Sequence, residues 1–348
     1  RGSGFLTPDY SSYNEPGQTD DSYSLRVPYY INLAPDRDLL VALTYMSSRG
    51  FNYEGKYRQL IPPLNNIDTN NSKFEIETRY LNEDKINNLQ RWLLKFNQKL
   101  DLNDKTHFTA QYYRVSDPKY FEEVARTNTN IDTINSFLKI NYNDNPKNLT
   151  AYVLTEDVQA VNGGAVGYVR ALEVSSTKEI SIGQKEVENF NKVKSNLDLS
   201  EDEEALYLID NPIPITTNLA LGLVTTNFKH DTASKESGIR THGNINISRR
   251  LNIRYPLITP SVGVTMTNYS LKNSPNINRT IFGAGLGVDF TINNRTRLLG
   301  FEVNNQISPK ITYSYRGKVV QGNIPIFDTT DKYDDILSFA ALTSGERY

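Results

Sequence analysis

Cysteine is absent from the 348 residues, and methionine, tryptophan and histidine are scarce at 2, 1 and 3. Without a thiol, the stretch holds no disulfide framework, thiolate zinc site, iron–sulfur cluster or cysteine nucleophile, although this says nothing of compartment. His107, His230 and His242 stand neither at metal-ligand spacing nor beside a patterned carboxylate, so each reads as an ordinary loop or strand residue. A G-x-S-x-G elbow and a P-loop are also lacking. No metal, cofactor or enzymatic activity is therefore expected. Charge of one sign is missing too: 38 Lys+Arg against 40 Asp+Glu leave a net charge of −2, with no global basic field to hold a nucleic acid. Apolar runs stay as short as Leu39-Leu40-Val41-Ala42-Leu43, far below the ~18 residues of a membrane-spanning helix. The ends carry no leader-like n-region or h-region and no terminal cap, and the chain is expected to be a piece of a longer protein.

What is abundant is tyrosine and phenylalanine, 22 and 14 residues, set in period-2 patterns. Tyr23, Leu25, Val27, Tyr29, Ile31 and Leu33 alternate with Ser24, Arg26, Pro28, Tyr30 and Asn32, the mark of a strand with one apolar face. The alternation returns around Phe51-Tyr57, Phe74-Tyr80, Trp92-Leu100, Phe108-Tyr112, Leu138-Tyr142, Leu149-Val153, Leu219-Leu223, Ile245-Ile247, Val262-Met266, Phe282-Phe290 and Ile311-Tyr315. Roughly a dozen antiparallel strands are expected, each near the ~9–11 residues that cross a bilayer at a tilt. Ser47-Ser48-Arg49-Gly50, Asn103-Asp104-Lys105 and Asn293-Asn294-Arg295 read as tight turns. Longer polar excursions fall at 62–72, 117–135, 183–212 and 317–342. The third, with its acidic run Glu201-Asp202-Glu203-Glu204, reads as a solvated loop with a short helix as the alternative.

Two architectures fit this alternation, a transmembrane β-barrel and a large soluble β-sandwich. The barrel is favoured by charge-rich opposite faces and by aromatics at Tyr29-Tyr30, Tyr112-Tyr113, Tyr313 and Tyr315, read as interfacial girdles. The run Phe282-Gly283-Ala284-Gly285-Leu286-Gly287-Val288 repeats glycine every second residue and lacks a following helix pattern. It reads as a strand face approached closely by another backbone or set in a crowded barrel wall, not as a dinucleotide loop. Pro28 sits inside the first clear strand without a donor for the ladder, which implies an edge or a weak pairing.

The residues resemble the LptD family of outer-membrane lipopolysaccharide-assembly proteins. The resemblance is carried by Arg1-Gly2-Ser3-Gly4-Phe5-Leu6-Thr7-Pro8, by Val27-Pro28-Tyr29-Tyr30-Ile31-Asn32-Leu33-Ala34-Pro35-Asp36, by Tyr45-Met46 with Arg49-Gly50, by Tyr57-Arg58-Gln59-Leu60, by Arg91-Trp92 and by Val115-Ser116-Asp117-Pro118-Lys119-Tyr120-Phe121. It is strong over residues 1 to about 125, weaker but collinear over 238–315, and unclear over 185–211. It implies an all-β antiparallel transmembrane barrel of which this chain is an open half-barrel meander. Residues 1–21 would link a periplasmic domain to it, 22–348 would be the N-terminal half of the barrel, and 183–212 a long loop or insertion. It further implies a Gram-negative outer-membrane location and lipopolysaccharide transport, with lateral release between first and last strands. An LptE-type lipoprotein plug and an LptA-type periplasmic bridge are the implied partners. Arg26, Val27, Pro28, Tyr29 and Tyr30 would form the gate strand, where Pro28 matches the family's first-strand proline and Leu43 replaces a second one. Arg26, Arg79, Arg91 and Lys95 share polar-face parity and are candidate contacts for lipid phosphates. A general porin or transporter barrel and a soluble β-sandwich glycan-binding protein are the competing functions. Two free sheet edges would make the half-barrel aggregate alone.

Overall fold

The computed structural model describes residues 2–15, 21–62, 72–125, 131–197, 215–251, 257–290, 292–298, 301–307, 309–317 and 324–331. The strands are β1 (Gly4–Phe5), β2 (Asp9–Asn14), β3 (Asp21–Ala34), β4 (Arg37–Met46), β5 (Gly50–Leu60), β6 (Lys73–Asp84), β7 (Leu89–Asn103), β8 (Thr106–Val115) and β9 (Thr133–Asp144). They continue with β10 (Leu149–Ala160), β11 (Val169–Ile182), β12 (Thr217–Lys229), β13 (Gly238–Arg249), β14 (Leu257–Leu271), β15 (Ile277–Asp289), β16 (Ile292–Leu298), β17 (Phe301–Ile307) and β18 (Lys310–Arg316). A single α-helix is present among the described residues, α1 (Gln184–Ser195). From β3 to β15 every strand has 10 to 15 residues, enough to cross a bilayer at a tilt. The sheet order is β1-β3-β4-β5-β6-β7-β8-β9-β10-β11-β12-β13-β14-β15-β18, with β2 also on β3 and β16 paired with β17. The two ends of that order do not pair with each other.

The chain divides into two compact units, and in the first (residues 1–143, 151–174 and 226–237) the cross-strand registers sort residues cleanly. Val27, Leu43, Tyr53, Tyr80 and Trp92 form one row, and Ile31, Leu39, Tyr57, Ile76, Phe96 and Tyr112 another, all on one face. Arg26, Thr44 and Asn52, then Ala42, Glu54, Arg79 and Leu93, then Leu40, Lys56, Glu77, Lys95 and Tyr113, line the other. The apolar face is the exposed one: Phe51 and Tyr53 show 49% and 54% of their surface, whereas Arg49, Asp84 and Arg91 are buried. This is the reverse of a soluble sandwich, where apolar faces meet. Two rows of touching rings mark the apolar face, Tyr10–Tyr23–Tyr45–Phe51 and Tyr57–Phe74–Phe96. Phe51 and Tyr57 lie six residues apart on β5, ~20 Å along the strand. The girdle assignment for this unit needs correcting: Tyr30 and Tyr113 turn to the polar face because neighbours alternate, and Tyr30 donates to Asp38.

The second unit (residues 144–150, 175–225 and 238–348) repeats the arrangement. Ile245, Val264 and Phe282 form one cross-strand row, and Ile247, Val262, Ala284 and Tyr315 the next. Phe282, Tyr313 and Val262 are 68%, 62% and 59% exposed, while Arg240, Thr267, Tyr269 and Arg279 on the other face are buried. Gly285 is the one member of the glycine run whose added Cβ would collide, 2.6 Å from Ser261 Oγ; Gly283 and Gly287 have ordinary room. Asn293-Asn294-Arg295 is not a turn but part of β16, paired residue for residue with β17. Ladder pairing overrides the turn preference of asparagine there. β1, β2, β4, β11 and β17 also add to the strands read from alternation; β4 hides in a continuous apolar run and β1 and β2 are short or polar. In the 183–212 stretch, α1 has no buried residue, and the acidic run 201–204 lies outside the described residues.

Candidate functional site

Pro28 lies midway along β3, opposite Ala42 of β4, and its carbonyl accepts a 3.0 Å hydrogen bond from Leu6 N–H on the other side. In an antiparallel strand, the N–H and C=O of one residue point the same way. The donor that proline lacks is therefore missing from the outer edge of β3, away from β4, and the β3–β4 ladder loses nothing. Asn32, four residues on, also points its N–H outward, to Ser3 Oγ at 2.9 Å. That outer edge is occupied by the start of the chain. β1 pairs Gly4 with Tyr30 and Phe5 with Tyr29, and β2 pairs Asp9 with Arg26 through to Asn14 with Asp21. Between them the register slips by one residue, at the point where Pro8 and Pro28 both lack donors. Of the gate-strand residues, Val27 and Tyr29 face the apolar side, and Arg26, Pro28 and Tyr30 the polar side.

On the polar face, Arg26 Nε bonds Glu54 at 3.0 Å and its Nη1 reaches Asp9 at 3.2 Å. Arg79 pairs with Glu77 at 3.1 Å, Lys56 with Glu75 at 3.1 Å, and Lys95 sits 5.3 Å from the ring centroid of Tyr113. Arg26, Glu54, Lys56, Glu77 and Arg79 surround a recess of about 170 Å³. Its three cations are each paired with carboxylates, Asp9 and Glu75 included, so it offers an anionic group several donors without a net positive charge. Arg91 stands apart from its three companions. It is buried and bound to Asp84 at 3.2 Å, Asp117 at 2.6 Å and Glu123 at 2.5 Å. Its donors are consumed within the protein.

Arg91 belongs to an ion network no single motif announced. Arg49, in the β4–β5 turn, binds Glu15 at 2.8 Å and Asp84 at 2.5 Å, and all three are buried. Burial works against the Arg49 charge, but the bonds to Glu15 and Asp84 outweigh it and raise its pKa above the usual guanidinium value. Asp117 and Glu123 come from the 116–125 excursion, which turns over the polar face in a π-helical turn, Phe121–Ala125. Tyr120, Phe121 and Val124 pack there with Leu81, Leu93 and Val115. Burial pushes the Tyr120 phenol well up, and its hydroxyl lacks a hydrogen-bond partner. In the second unit, Asp328 and Asp331 hold Arg240 at 2.7 and 3.0 Å, and Tyr269 donates to Asp331 at 2.7 Å. No cluster of metal-ligating side chains occurs among the described residues.

An antiparallel meander with its apolar side exposed and its ion pairs turned the other way is the wall of an outer-membrane β-barrel protein. The sequence profile of the family described as LptD, LPS transport system D, matches residues 89–340, and the chain belongs to that family. LPS-assembly protein LptD of Pseudomonas entomophila (strain L48) is 25% identical over 398 residues, covering 100% of this chain and 39% of the relative. The protein of the same description from Pseudomonas savastanoi pv. phaseolicola is 24% identical over 387 residues, covering 100% and 38%. The chain thus spans under two fifths of the length of these relatives. A bacterial polysaccharide outer membrane secretin superposes with a TM-score of 0.29 at 12% identity, covering 91% of this chain and 99% of that chain, a score too low to assign a shared topology.

Proposed function

We propose that the chain is one wall of a lipopolysaccharide translocon in the outer membrane of a Gram-negative bacterium, with β3 as one side of a lateral exit. The observation that carries this is the position of Pro28: its missing donor falls on the outer edge of β3, where a closing strand would dock with one bond fewer. Such a seam is weaker by ~1 kcal/mol than a complete ladder, and parts there first. Arg26, Arg79 and Lys95, with Lys56 beside them, are the cations offered to lipid phosphates on the polar face. Arg91 instead holds the wall together. An LptE-type lipoprotein plugging the barrel and an LptA-type bridge, reached through a periplasmic domain outside this chain, complete the proposed route.

Pro28→Ala in the full-length protein restores the donor and is expected to slow lipid release about fivefold, the ratio that ~1 kcal/mol gives. Surface lipopolysaccharide appearing at the wild-type rate would refute the seam. Joint replacement of Arg26, Arg79 and Lys95 by glutamine is expected to lower photocrosslinking of lipopolysaccharide to this wall several-fold; unchanged crosslinking would remove these residues from the route. A porin reading has no comparable support, since a non-specific pore gains nothing from a weakened strand edge.

A further inference from the structure

Residues 3–15 do more than lead into the sheet. They cover the outer edge of β3 from Asn32, through Ser3, to Asp21, through Asn14. Their hold on that edge is uneven. β1 is two residues long, the ladder breaks between the Phe5–Tyr29 and Asp9–Arg26 pairs, and most side chains of β2 are exposed. At the far end, Glu15 is buried and gives both carboxylate oxygens to Arg49, at 2.8 Å each. Arg49 shares Asp84 with Arg91 and lies 3.7 Å from Glu123. The 116–125 excursion is anchored by those same cations. One ion network thus fastens both the cover of the β3 edge and the segment that overlies the polar face. Removing Glu15 leaves the buried Nε and Nη2 of Arg49 without the acceptors they have here, a cost that falls on the cation shared with the rest of the network.

We infer that residues 3–15 are a displaceable edge strand that blocks β3 from accepting another strand, latched by Glu15 to the network that holds the 116–125 segment. Freeing the edge and loosening that segment are therefore coupled events, and the coupling is reciprocal. The chain offers a clean probe. Ser11 and Ser24 face each other across β2 and β3, with hydroxyls 2.7 Å apart, and no cysteine of this stretch competes with a pair placed there.

In the full-length protein, the pair Ser11→Cys with Ser24→Cys is expected to oxidise to a disulfide in most molecules. Hydrogen exchange would then read residues 9–14 and 121–125, comparing oxidised with reduced protein. The oxidised form is expected to exchange several-fold more slowly in both segments. Glu15→Gln, in the otherwise native protein, is expected to speed exchange at least tenfold in both. No disulfide would show that the edge is not covered by residues 3–15. Protection confined to 9–14 would show that no latch joins the two segments. Because the disulfide comparison leaves every charge in place, it decides the question even where Glu15→Gln fails to fold.

Discussion

At the scale of single residues, the polar face is ruled by where each charge finds its partner. Arg26 and Arg91 stand in one cross-strand row, through Thr44, Asn52 and Leu81, yet Arg91 is enclosed by three carboxylates while Arg26 borders an open recess. Tyr120 presents the opposite situation, a buried hydroxyl without a partner. An unsatisfied buried group is a cost, so Tyr120→Phe is expected to leave stability unchanged or raise it by up to ~1 kcal/mol at neutral pH. The same substitution alters the alkaline limb. A free phenol ionises near 10.0, and burial raises the folded value above that. Above pH 10 the unfolded chain binds fewer protons than the folded one, so stability is whole below that pH and falls as pH rises through it. Urea unfolding of detergent-solubilised protein between pH 9 and 11 should show this fall in the wild type and a shallower one in Tyr120→Phe; identical slopes would contradict the assignment.

At the scale of elements, each strand is a two-sided object whose sides meet different solvents. Phe282 on β15, between Val264 on β14 and the neighbouring rows, is largely exposed, and a side chain so placed on a soluble sheet would be an aggregation site. In a bilayer it meets lipid. Phe282→Arg is expected to cost ~2–4 kcal/mol when folding is measured into vesicles, the penalty for arginine on a lipid-facing strand. A change under ~0.5 kcal/mol, the usual size of a substitution on a water-facing surface, would place that face in water. Strand pairing shows why the 293–295 stretch misled: turn-forming residues are tolerated in a ladder where each has a cross-strand partner, as Asn293, Asn294 and Arg295 have in Gln306, Asn305 and Asn304.

At the scale of the whole molecule, the sheet's two ends are treated unequally. The sheet is open, with two ends that do not pair, but at one of them β1 and β2 cover the edge of β3, so that free edge falls on short strands. β18 pairs with β15 alone in the sheet order. Gly317 N–H points into the β15 ladder, to Phe282 O, so by alternation the N–H of Ser314 points away from it. Ser314→Pro removes an outward donor and no ladder bond. The chain expressed alone is expected to self-associate through this edge, and Ser314→Pro to lower the associated fraction several-fold by sedimentation; an unchanged fraction would move the contact elsewhere.

The alternation of Tyr23 to Leu33, Val262 to Met266 and Phe282 to Val288 by itself determined strand class and the composition of the two faces, because side-chain period follows from backbone geometry. The string from Val27 to Asp36 carried the family and singled out Pro28. Local pattern does not say which face is wet, since a sandwich and a barrel share it; the burial of Arg49 and Arg91 and the exposure of Phe51 and Phe282 decided that. Nor does it pair residues far apart in the chain. Glu15 meets Arg49, and Arg91 meets Glu123, only because β2, β4, β7 and the 116–125 excursion converge in the folded sheet. The direction in which Pro28 withholds its donor was likewise a tertiary matter, set by which neighbour β3 has on each side.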